Sequence, residues 1–273
     1  MKSSPFTQAL RIFRSLSFAG LLLPTHSPAA DLQSVETSKL RFSLSAETGS
    51  YELADKQAGV TWKSNPFQPR FGEVSAWVGG RLQRLSLERC QIQKIGGGLV
   101  VVFSPVAEKP DAKLRLQVRL LPDSRSLEFA FEADPAFNVE NIRLLDDALW
   151  TGDAEQGYVI VPVREGLLIP ADSGLNFNHR FDTYAYEGCH MAMLGAVKRG
   201  AAVLVTWTDP YVAADVRSTL TNFAGFSSRQ VLSASLTLRK SAKSFQVHLL
   251  GRGDYVDIAK AYREAAKRAG WWM

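Results

Sequence analysis

Residues 113–131, which read KLRLQVRLLPDSRSLEFAF, decide the fold class. Leucine or valine occupies every second position from Leu114 to Leu120, and lysine, arginine or glutamine fills the positions between them. Residues 122–124 read Pro-Asp-Ser, and residues 127–131 alternate again with leucine and phenylalanine. A period of two is typical of a β-strand with one buried face, and Pro-Asp-Ser favours a chain reversal. The stretch therefore predicts an antiparallel β-hairpin.

The same alternation of apolar and polar residues extends over most of the chain, and glycine, proline and aspartate lie between the alternating segments. We predict about a dozen short strands at the spacing of an antiparallel β-sandwich. Strands do not alternate with helices, so the pattern supports neither a doubly wound sheet nor a barrel. Outside the hairpin, the predicted strands lie in a meander at residues 40–62 and at residues 74–78, 82–87, 99–103, 157–163, 191–197, 201–206, 233–238 and 245–250.

A single helix is predicted at the C-terminus. Between residues 255 and 269, apolar side chains recur at helical spacing and charged side chains occupy the other side. Asp254 is placed to cap the first turn and Gly270 to end the last. Trp271 and Trp272 follow, and leaving such large side chains in water costs about 1.5–3 kcal/mol each. We expect that they fold back on the sandwich or that the natural chain continues into a further domain.

Residues 1–30 have the pattern of a secretory signal peptide. Lys2, Arg11 and Arg14 precede the short apolar run 16–23, and small residues lie just before residue 31. The alternative is an amphipathic helix that belongs to the fold. Removal of the segment would leave 243 residues and lower the formal net charge from +5 to +2. We expect an exported protein, periplasmic or extracellular.

Composition and motifs exclude several classes of protein. The chain is 46% hydrophobic and 22% charged, as in ordinary globular proteins, so disorder, collagen and coiled coil are disfavoured. No stretch offers the roughly 18 apolar residues of a membrane span, and no Lys/Arg run of five or more marks a nucleic-acid footprint. The phosphate-cradling glycine loop, the Gly-x-Ser-x-Gly elbow and the His-Glu-x-x-His metal motif are missing. We therefore expect no cofactor and no metal site.

The chain contains two cysteines, Cys90 and Cys189. Export would place them in an oxidising compartment, where one disulfide could form. Two unpaired, buried thiols are the alternative, because spacing alone does not show that the two Cα atoms lie within about 7 Å.

Residues 172–190 do not alternate and are rich in polar and aromatic side chains, so we interpret them as a long loop. Aromatic rings stack on the apolar face of a pyranose, and Asp, Asn, Arg and His bind hydroxyl groups. The loop is therefore our candidate carbohydrate-binding site, and a loop held by its own aromatic contacts is the alternative. The candidate residues are Asp172, Asn176, Asn178, His179, Arg180, Tyr184, Tyr186, Glu187 and His190.

No catalytic residue can be assigned from the sequence. A glycosidase usually needs two carboxylates about 5–10 Å apart, and three acidic pairs are available without a distinguishing context. His190 and Glu187 could act as an acid and a base, but a spacing of three residues on a loop does not fix the distance between their side chains. His248 lies in the middle of a predicted strand, where we expect a structural role. The acidic pairs are Asp146 with Asp147, Asp182 with Glu187, and Asp209 with Asp215.

Several segments, taken in order, resemble the galactose-mutarotase-like β-sandwich of secreted glycoside hydrolases. Residues 42–62 resemble the first hairpins of such sandwiches, and residues 157–170 resemble a segment of them. Residues 191–196 and 203–215 fit the strands that follow, and residues 253–263 resemble the helix that joins a sandwich to a catalytic (β/α)₈ barrel. The nearest architecture is that of endo-α-N-acetylgalactosaminidase-like enzymes.

The resemblance implies an all-β antiparallel supersandwich with a single C-terminal helix. It divides the chain into a signal peptide at residues 1–30, a β-sandwich domain at 31–252 and a linker helix at 253–273 toward a catalytic barrel that this chain lacks. It further implies a carbohydrate partner and a non-catalytic role, because the catalytic carboxylates of that family lie on the barrel. A stand-alone sugar-binding or aldose-epimerase-like protein and a structural sandwich without a sugar ligand are the alternatives.

Overall fold

The computed structural model describes residues 32–65, 67–145, 149–221, 227–239 and 242–271. The predicted signal peptide, the Asp146–Asp147 pair and Trp272 lie outside these ranges. In the described ranges the chain forms twenty β-strands in three sheets and one α-helix, which confirms the all-β antiparallel class with a single C-terminal helix. No helix in this part of the chain is long and apolar enough to cross a membrane.

The strands pair antiparallel throughout the three sheets. The four-stranded sheet contains, in order, β1 (Leu32–Glu36), β2 (Leu40–Ser45), β3 (Tyr51–Asp55) and β4 (Val60–Lys63). The nine-stranded sheet has the order β14 (Leu167–Pro170), β13 (Tyr158–Val161), β16 (Met193–Lys198), β17 (Ala201–Thr206), β20 (Ser244–Arg252), β10 (Ser126–Ala133), β9 (Leu114–Leu120), β8 (Gly98–Phe103) and β7 (Cys90–Ile95). The seven-stranded sheet has the order β15 (Phe177–Asp182), β18 (Val212–Leu220), β19 (Gln230–Arg239), β11 (Val139–Leu144), β5 (Gly72–Val78) and β6 (Arg81–Leu87), with β12 (Thr151–Gly152) also paired to β19.

The predicted hairpin is confirmed as β9 and β10, in a register that places Val118 opposite Phe129. Both side chains are fully buried, because they lie on the inner face of the nine-stranded sheet. The Asp123 carboxylate accepts a hydrogen bond from the Arg125 backbone N–H at 3.0 Å, which closes the turn. The alternation that predicted the strands is therefore the alternation between core and solvent.

A continuous series of aromatic rings joins the four-stranded sheet to the nine-stranded sheet. Phe129 of β10 stacks on Phe245 of β20 with ring centroids 5.0 Å apart, and its ring also meets Phe42 of β2 edge to face at 5.5 Å. From Phe42 the contacts continue to Tyr51 at 6.0 Å and then to Phe71 at 5.2 Å. The series ends at Phe103 of β8, whose ring centroid lies 5.6 Å from that of Phe71.

Most predicted strands are confirmed to within a few residues, but the expected number of about a dozen is too low. The sequence prediction missed β7, β11, β14, β15 and β18, among others. The interpretation of residues 172–190 as one loop is wrong, because residues 177–182 form β15 and pair with β18. This strand lies at the edge of its sheet and exposes residues 178, 179 and 180, so its sequence lacks the apolar alternation of a half-buried strand.

The predicted helix is confirmed as α1 (Tyr255–Arg268). The Asp254 carboxylate accepts hydrogen bonds from the backbone N–H groups of Val256 and Asp257, and the Asp257 carboxylate in turn accepts one from the Asp254 N–H. Ile258 and Tyr262 face the outward side of the nine-stranded sheet. There they join a small apolar cluster with Met193, Val197, Ala202, Leu204 and Ala266.

The disulfide that export would permit is absent, since Cys90 and Cys189 are both free thiols. The Cys90 thiol in β7 lies 3.9 Å from the Ser45 carbonyl oxygen, and the Cys189 thiol lies 3.8 Å from the Phe181 carbonyl oxygen. Cys90 thus lies on an edge strand of the nine-stranded sheet, and Cys189 lies in the turn that follows β15. Burial raises the pKa of each to about 12, which keeps both protonated at neutral pH and chemically inert.

Lys198, at the end of β16, is 3% exposed and lies between two tryptophan rings. Its ammonium group is 4.8 Å from the ring centroid of Trp62 and 4.6 Å from that of Trp150. Burial lowers the pKa of this lysine to about 8. The two cation–π contacts offset part of the cost of burying the charge.

The expectation of a structural role for His248 agrees with its surroundings. Its Nδ1 lies 2.7 Å from the Ser126 hydroxyl and its Nε2 lies 3.1 Å from the Thr206 hydroxyl. The Ser126 hydroxyl also donates to the Asp123 carboxylate at 2.6 Å. Burial lowers the pKa of His248 to about 4, although Asp123 partly opposes the shift.

The cap of α1 gives a first prediction. Asp254→Ala should lower the free energy of unfolding by about 1 kcal/mol, because two backbone N–H groups lose their acceptor. Asp254→Asn is the matched control, since its side-chain oxygen still caps the helix, and it should lose less than half as much. Urea unfolding measures both variants, and an alanine variant as stable as the wild type would contradict this cap.

The neutral state of His248 gives a second prediction. Its pKa is lower in the folded chain than in the unfolded chain, so the unfolded state binds more protons between about pH 6.5 and pH 4. The free energy of unfolding should therefore fall as the pH is lowered through this window, by about 3 kcal/mol for this group. His248→Gln should remove that part of the pH dependence. Urea unfolding at pH 7 and pH 4.5 compares the two proteins, and an identical pH dependence would refute the assignment.

Candidate functional site

The outward side of the seven-stranded sheet is polar across its central strands, and we call it the polar face. In β18, Ala214 and Val216 point into the core, whereas Asp215 and Arg217 point outward. The same alternation in β19 buries leucine and alanine on the inner side. The outward residues of β11, β15, β18 and β19 include Asn141, Arg143, Asn178, Arg180, Asp215, Arg217, Ser233, Ser235 and Thr237.

Strand register brings together polar residues that are distant in sequence. Arg180 pairs with Asp215, and Asp215 pairs with Ser235 on the next strand. Two residues further along the same two strands, Asn178 pairs with Arg217. Directly opposed residues of antiparallel strands have Cβ atoms about 4.5–5.5 Å apart, so each row forms a continuous strip of polar groups.

Asp215 is the buried charge of the polar face. Its side chain is 8% exposed, and its Oδ1 accepts a hydrogen bond from Arg180 Nε at 2.8 Å. Its Oδ2 accepts the hydroxyl of Thr237, which in turn accepts a bond from Arg180 Nη2 at 3.1 Å. The three side chains form a closed triangle in which both carboxylate oxygens have a donor. Such satisfaction is what makes burial of a charge tolerable.

Small hydroxyl side chains form the floor of the polar face. Ser233, Ser235 and Thr237 of β19 are 3%, 1% and 2% exposed. Arg143 from β11 donates to the Ser235 hydroxyl at 3.3 Å. The longer side chains of the polar face thus cover these buried hydroxyl groups.

A cleft of about 300 Å³ lies at one end of the polar face. Arg217 and Ser233 connect it to the strips described above. Its walls combine two aromatic side chains with amide and hydroxyl groups. Besides Arg217 and Ser233, the lining residues are Asn65, Phe67, Gln68, Trp150, Thr219, Leu220, Thr221 and Val231.

The structure divides the predicted carbohydrate site into three parts. Asn178 and Arg180 lie on the polar face, whereas His179 between them points to the other side and packs on Phe181, with ring centroids 4.5 Å apart. Asp172 and Asn176 are exposed and precede the strand. The other four candidates, Tyr184, Tyr186, Glu187 and His190, lie together in the turn that follows β15.

Side-chain contacts link the turn after β15 to the loop between β13 and β14. The guanidinium of Arg164 lies 5.1 Å from the ring centroid of Tyr186, and its Nη2 lies 3.3 Å from the Glu187 carboxylate. His190 Nε2 is 3.4 Å from the Tyr186 carbonyl oxygen. Glu187 and His190 therefore have separate partners, and the acid–base pair that the sequence left open is not formed between them.

An apolar groove of about 700 Å³ runs between α1 and the β13–β14 hairpin. Ile258 and Tyr262 form its base on the helix side. Five of its lining residues are large apolar side chains that are more than a third exposed. They are Leu167, Leu168, Met191, Tyr255 and Val256.

Sequence reasoning missed most of the polar face. It considered Asp215 only as a pair with Asp209, whose Oδ1 in fact accepts the Tyr211 backbone N–H at 2.7 Å. A signal was present in the alternation of serine and threonine with apolar residues at positions 233–238, where the polar half of the pattern is the outward half. Among the described residues, no group of three or more His, Cys, Asp or Glu side chains is placed to hold a metal ion.

The sequence matches no protein-family model, and no curated protein matches it at a significant level. Solved structures, in contrast, share its fold. The alpha-N-acetylgalactosaminidase NagBb from Bifidobacterium bifidum, in complex with GalNAc, aligns with a TM-score of 0.66 at 15% identity, and its quadruple mutant aligns with the same score at 14%. The galactosidase domain of the alpha-galactosidase–sucrose kinase AgaSK aligns with a TM-score of 0.47 at 8% identity over 83% of this chain and 41% of its own.

The NagBb alignments define the class of fold. They cover 87% of this chain but only 39% of the NagBb chain, so this chain spans about two fifths of that enzyme. The architecture is therefore a β-sandwich of the kind that forms part of a glycoside hydrolase, which confirms the resemblance at the level of the fold. The closer likeness to galactose mutarotase, and the division of the chain into three parts, stay predictions.

The buried ion pair of the polar face gives a third prediction. Arg180→Met should lower the free energy of unfolding by about 2 kcal/mol, because a buried carboxylate loses its charged donor. Arg239→Met is the matched control: Arg239 lies 3.2 Å from Asp182, both side chains are about half exposed, and such pairs contribute less than about 1 kcal/mol. Chemical unfolding of both variants at neutral pH compares them, and an equal loss would contradict the special role of Asp215.

Proposed function

We propose that this chain is an exported, carbohydrate-associated β-sandwich and the non-catalytic part of a glycoside hydrolase that acts on glycans. The observation that carries the proposal is the shared fold, in which 87% of this chain corresponds to 39% of a glycosidase. The remainder of that enzyme has no counterpart here, so in this proposal the catalytic residues belong to another part of the natural protein.

The state of the acidic side chains supports a non-catalytic role. A glycosidase uses one carboxylic acid as a proton donor and a second carboxylate facing the sugar ring. Here Asp215 is bound by Arg180, Asp182 lies 3.2 Å from Arg239, and Glu187 lies 3.3 Å from Arg164. Each of these carboxylates therefore contacts an arginine side chain of the sandwich itself.

The polar face supports contact with carbohydrate. Its cleft offers Phe67 and Trp150 as aromatic surfaces, with the Asn65 amide, the Arg217 guanidinium and the Ser233 hydroxyl nearby. A sugar ring has an apolar face that stacks on aromatic rings and hydroxyl groups that both donate and accept hydrogen bonds. This combination also favours the second candidate function, a sugar-binding protein that acts alone.

The apolar groove supports a neighbouring catalytic domain. The helix α1, the last element of the described chain, forms one wall with side chains between residues 255 and 263, so a (β/α)₈ barrel that follows the helix would pack back along it onto the groove. Covering exposed side chains such as Leu168 and Tyr255 would remove apolar surface from water at about 25 cal/mol per Å². We propose this barrel as the occupant of the groove.

Glycan-array binding and hydrolysis of nitrophenyl glycosides, both with the purified chain, test the proposal. We expect binding to at least one glycan and no hydrolysis above the buffer blank. Phe67→Ala and Arg217→Gln should each weaken binding about threefold to tenfold, whereas Tyr211→Ala, an exposed aromatic residue outside the cleft, should leave it unchanged.

Three outcomes would contradict parts of the proposal. Hydrolysis by the purified chain would refute the non-catalytic role. Absence of binding to every glycan would favour a structural sandwich that has no sugar ligand. At the gene, a coding frame that continues past residue 273 into a barrel is expected, and a stop codon with no barrel-coding frame nearby would favour the stand-alone sugar-binding protein.

A further inference from the structure

A second cleft, of about 250 Å³, lies where the end of α1 meets the outward side of the nine-stranded sheet. It is on the opposite layer of the sandwich from the polar face. Its floor comes from Thr206 and Gln246, which are directly paired on β17 and β20, and its outer wall comes from Arg268 and Trp271. We call it the helix-end cleft.

Trp271 is fixed by the way the helix ends. Gly270 takes the left-handed conformation at φ +76°, where a side chain would be strained. Its N–H donates to the Lys267 carbonyl at 3.1 Å, and the Trp271 N–H donates to the Ala266 carbonyl at 2.9 Å. These two bonds form the Schellman motif, which ends a helix in a single backbone conformation. Trp271 as a residue is 46% exposed and lines the cleft, so it offers part of its surface from a defined backbone conformation.

A hydrogen-bond chain sets the hydroxyl of Thr206. Asp123 can only accept, so Ser126 donates to it, and the Ser126 oxygen then accepts from His248 Nδ1–H. That leaves His248 Nε2 as an acceptor for the Thr206 hydroxyl at 3.1 Å. The Thr206 oxygen therefore keeps its lone pairs for a partner in the cleft, which makes it a preset acceptor.

The groups around Thr206 complement this acceptor. The Gln246 amide both donates and accepts, and Arg268 can only donate. On the other side of Gln246, Glu128 is its direct partner on β10 and adds a carboxylate to the same strip. The cleft thus presents an aromatic surface and, within one small space, both donors and acceptors.

We propose that the helix-end cleft binds one neutral sugar ring of a glycan, stacked on Trp271 with a hydroxyl donating to Thr206. The proposal rests on the carbohydrate association proposed above and adds a second site to it. The volume is below the roughly 300–1,000 Å³ of pockets for drug-sized ligands, so the cleft suits a single ring. A ring hydroxyl is a donor that can meet the preset acceptor, whereas sulfate, which is fully ionised at neutral pH, has no proton to donate to it.

Indole NMR signals of the full chain provide a local test. The chain has six tryptophans, and Trp271→Ala identifies the signal of Trp271 by its loss. Methyl α-glycosides of glucose, galactose and N-acetylgalactosamine are titrated one at a time, with inorganic sulfate as the negative control. We expect the Trp271 signal to shift with at least one glycoside and not with sulfate.

Variants then measure the contributions of the two residues. Trp271→Ala and Thr206→Val should each weaken glycoside binding at this site about threefold to tenfold. Trp77→Ala is the matched control, because Trp77 is 45% exposed on the other layer, and it should leave the affinity unchanged. Thr206→Val also removes a partner of buried His248, so Trp271→Ala keeps the test valid if that variant does not fold.

The possible failures can be told apart. A Trp271 signal that no glycoside shifts would overturn this proposal, and so would a glycoside affinity that Trp271→Ala leaves unchanged. If no glycoside shifts the Trp271 signal but the wild-type chain binds the glycan array and Phe67→Ala weakens that binding, the proposed function stands and only the helix-end cleft is refuted. If neither glycosides nor glycans bind the wild-type chain, both proposals fail.

Discussion

The contact between Phe42 and Phe129 is the constraint on which the rest of the structure depends. It joins the four-stranded sheet to the nine-stranded sheet, and the rings on either side extend the contact to Phe245 and Phe103. An aromatic pair contributes about 0.5–1.5 kcal/mol beyond the burial of its area, and such a series also fixes the spacing between layers. Because the inner faces of the sheets supply this core, their outer faces are left for polar chemistry.

The division between apolar inner faces and polar outer faces explains why candidate sites occur on the outer faces of both large sheets. A sheet has only two sides, so every strand that contributes a leucine to the core presents its next residue outward. On β19 those residues are serine and threonine, which keep the surface shallow, and on β17 and β20 they include Thr206 and Gln246. The helix α1 covers only part of the nine-stranded sheet, and its end creates a wall where there would otherwise be a flat surface.

Local patterns predicted the elements that are themselves local. The hairpin at 113–131 and the capped helix after Asp254 were recognisable because period, turn and cap lie within a few residues of one another. The polar face was not recognisable, since Arg180, Asp215 and Ser235 become neighbours only through strand pairing. The edge strand β15 was missed for a related reason: it is exposed on most of its surface, so no apolar alternation marks it.

The terminal strands of the two large sheets affect how the molecule behaves in concentrated solution. An unpaired strand edge can recruit another chain and start ordered aggregation. Here Arg84 lies on β6, Lys94 on β7 and Pro170 on β14, so three of the four terminal strands of these sheets bear a cation or a residue that cannot donate a backbone hydrogen bond, whereas on β15 the charge of Arg180 is paired with Asp215. Like charges that would meet across two such edges repel each other, which favours separate molecules over fibrils.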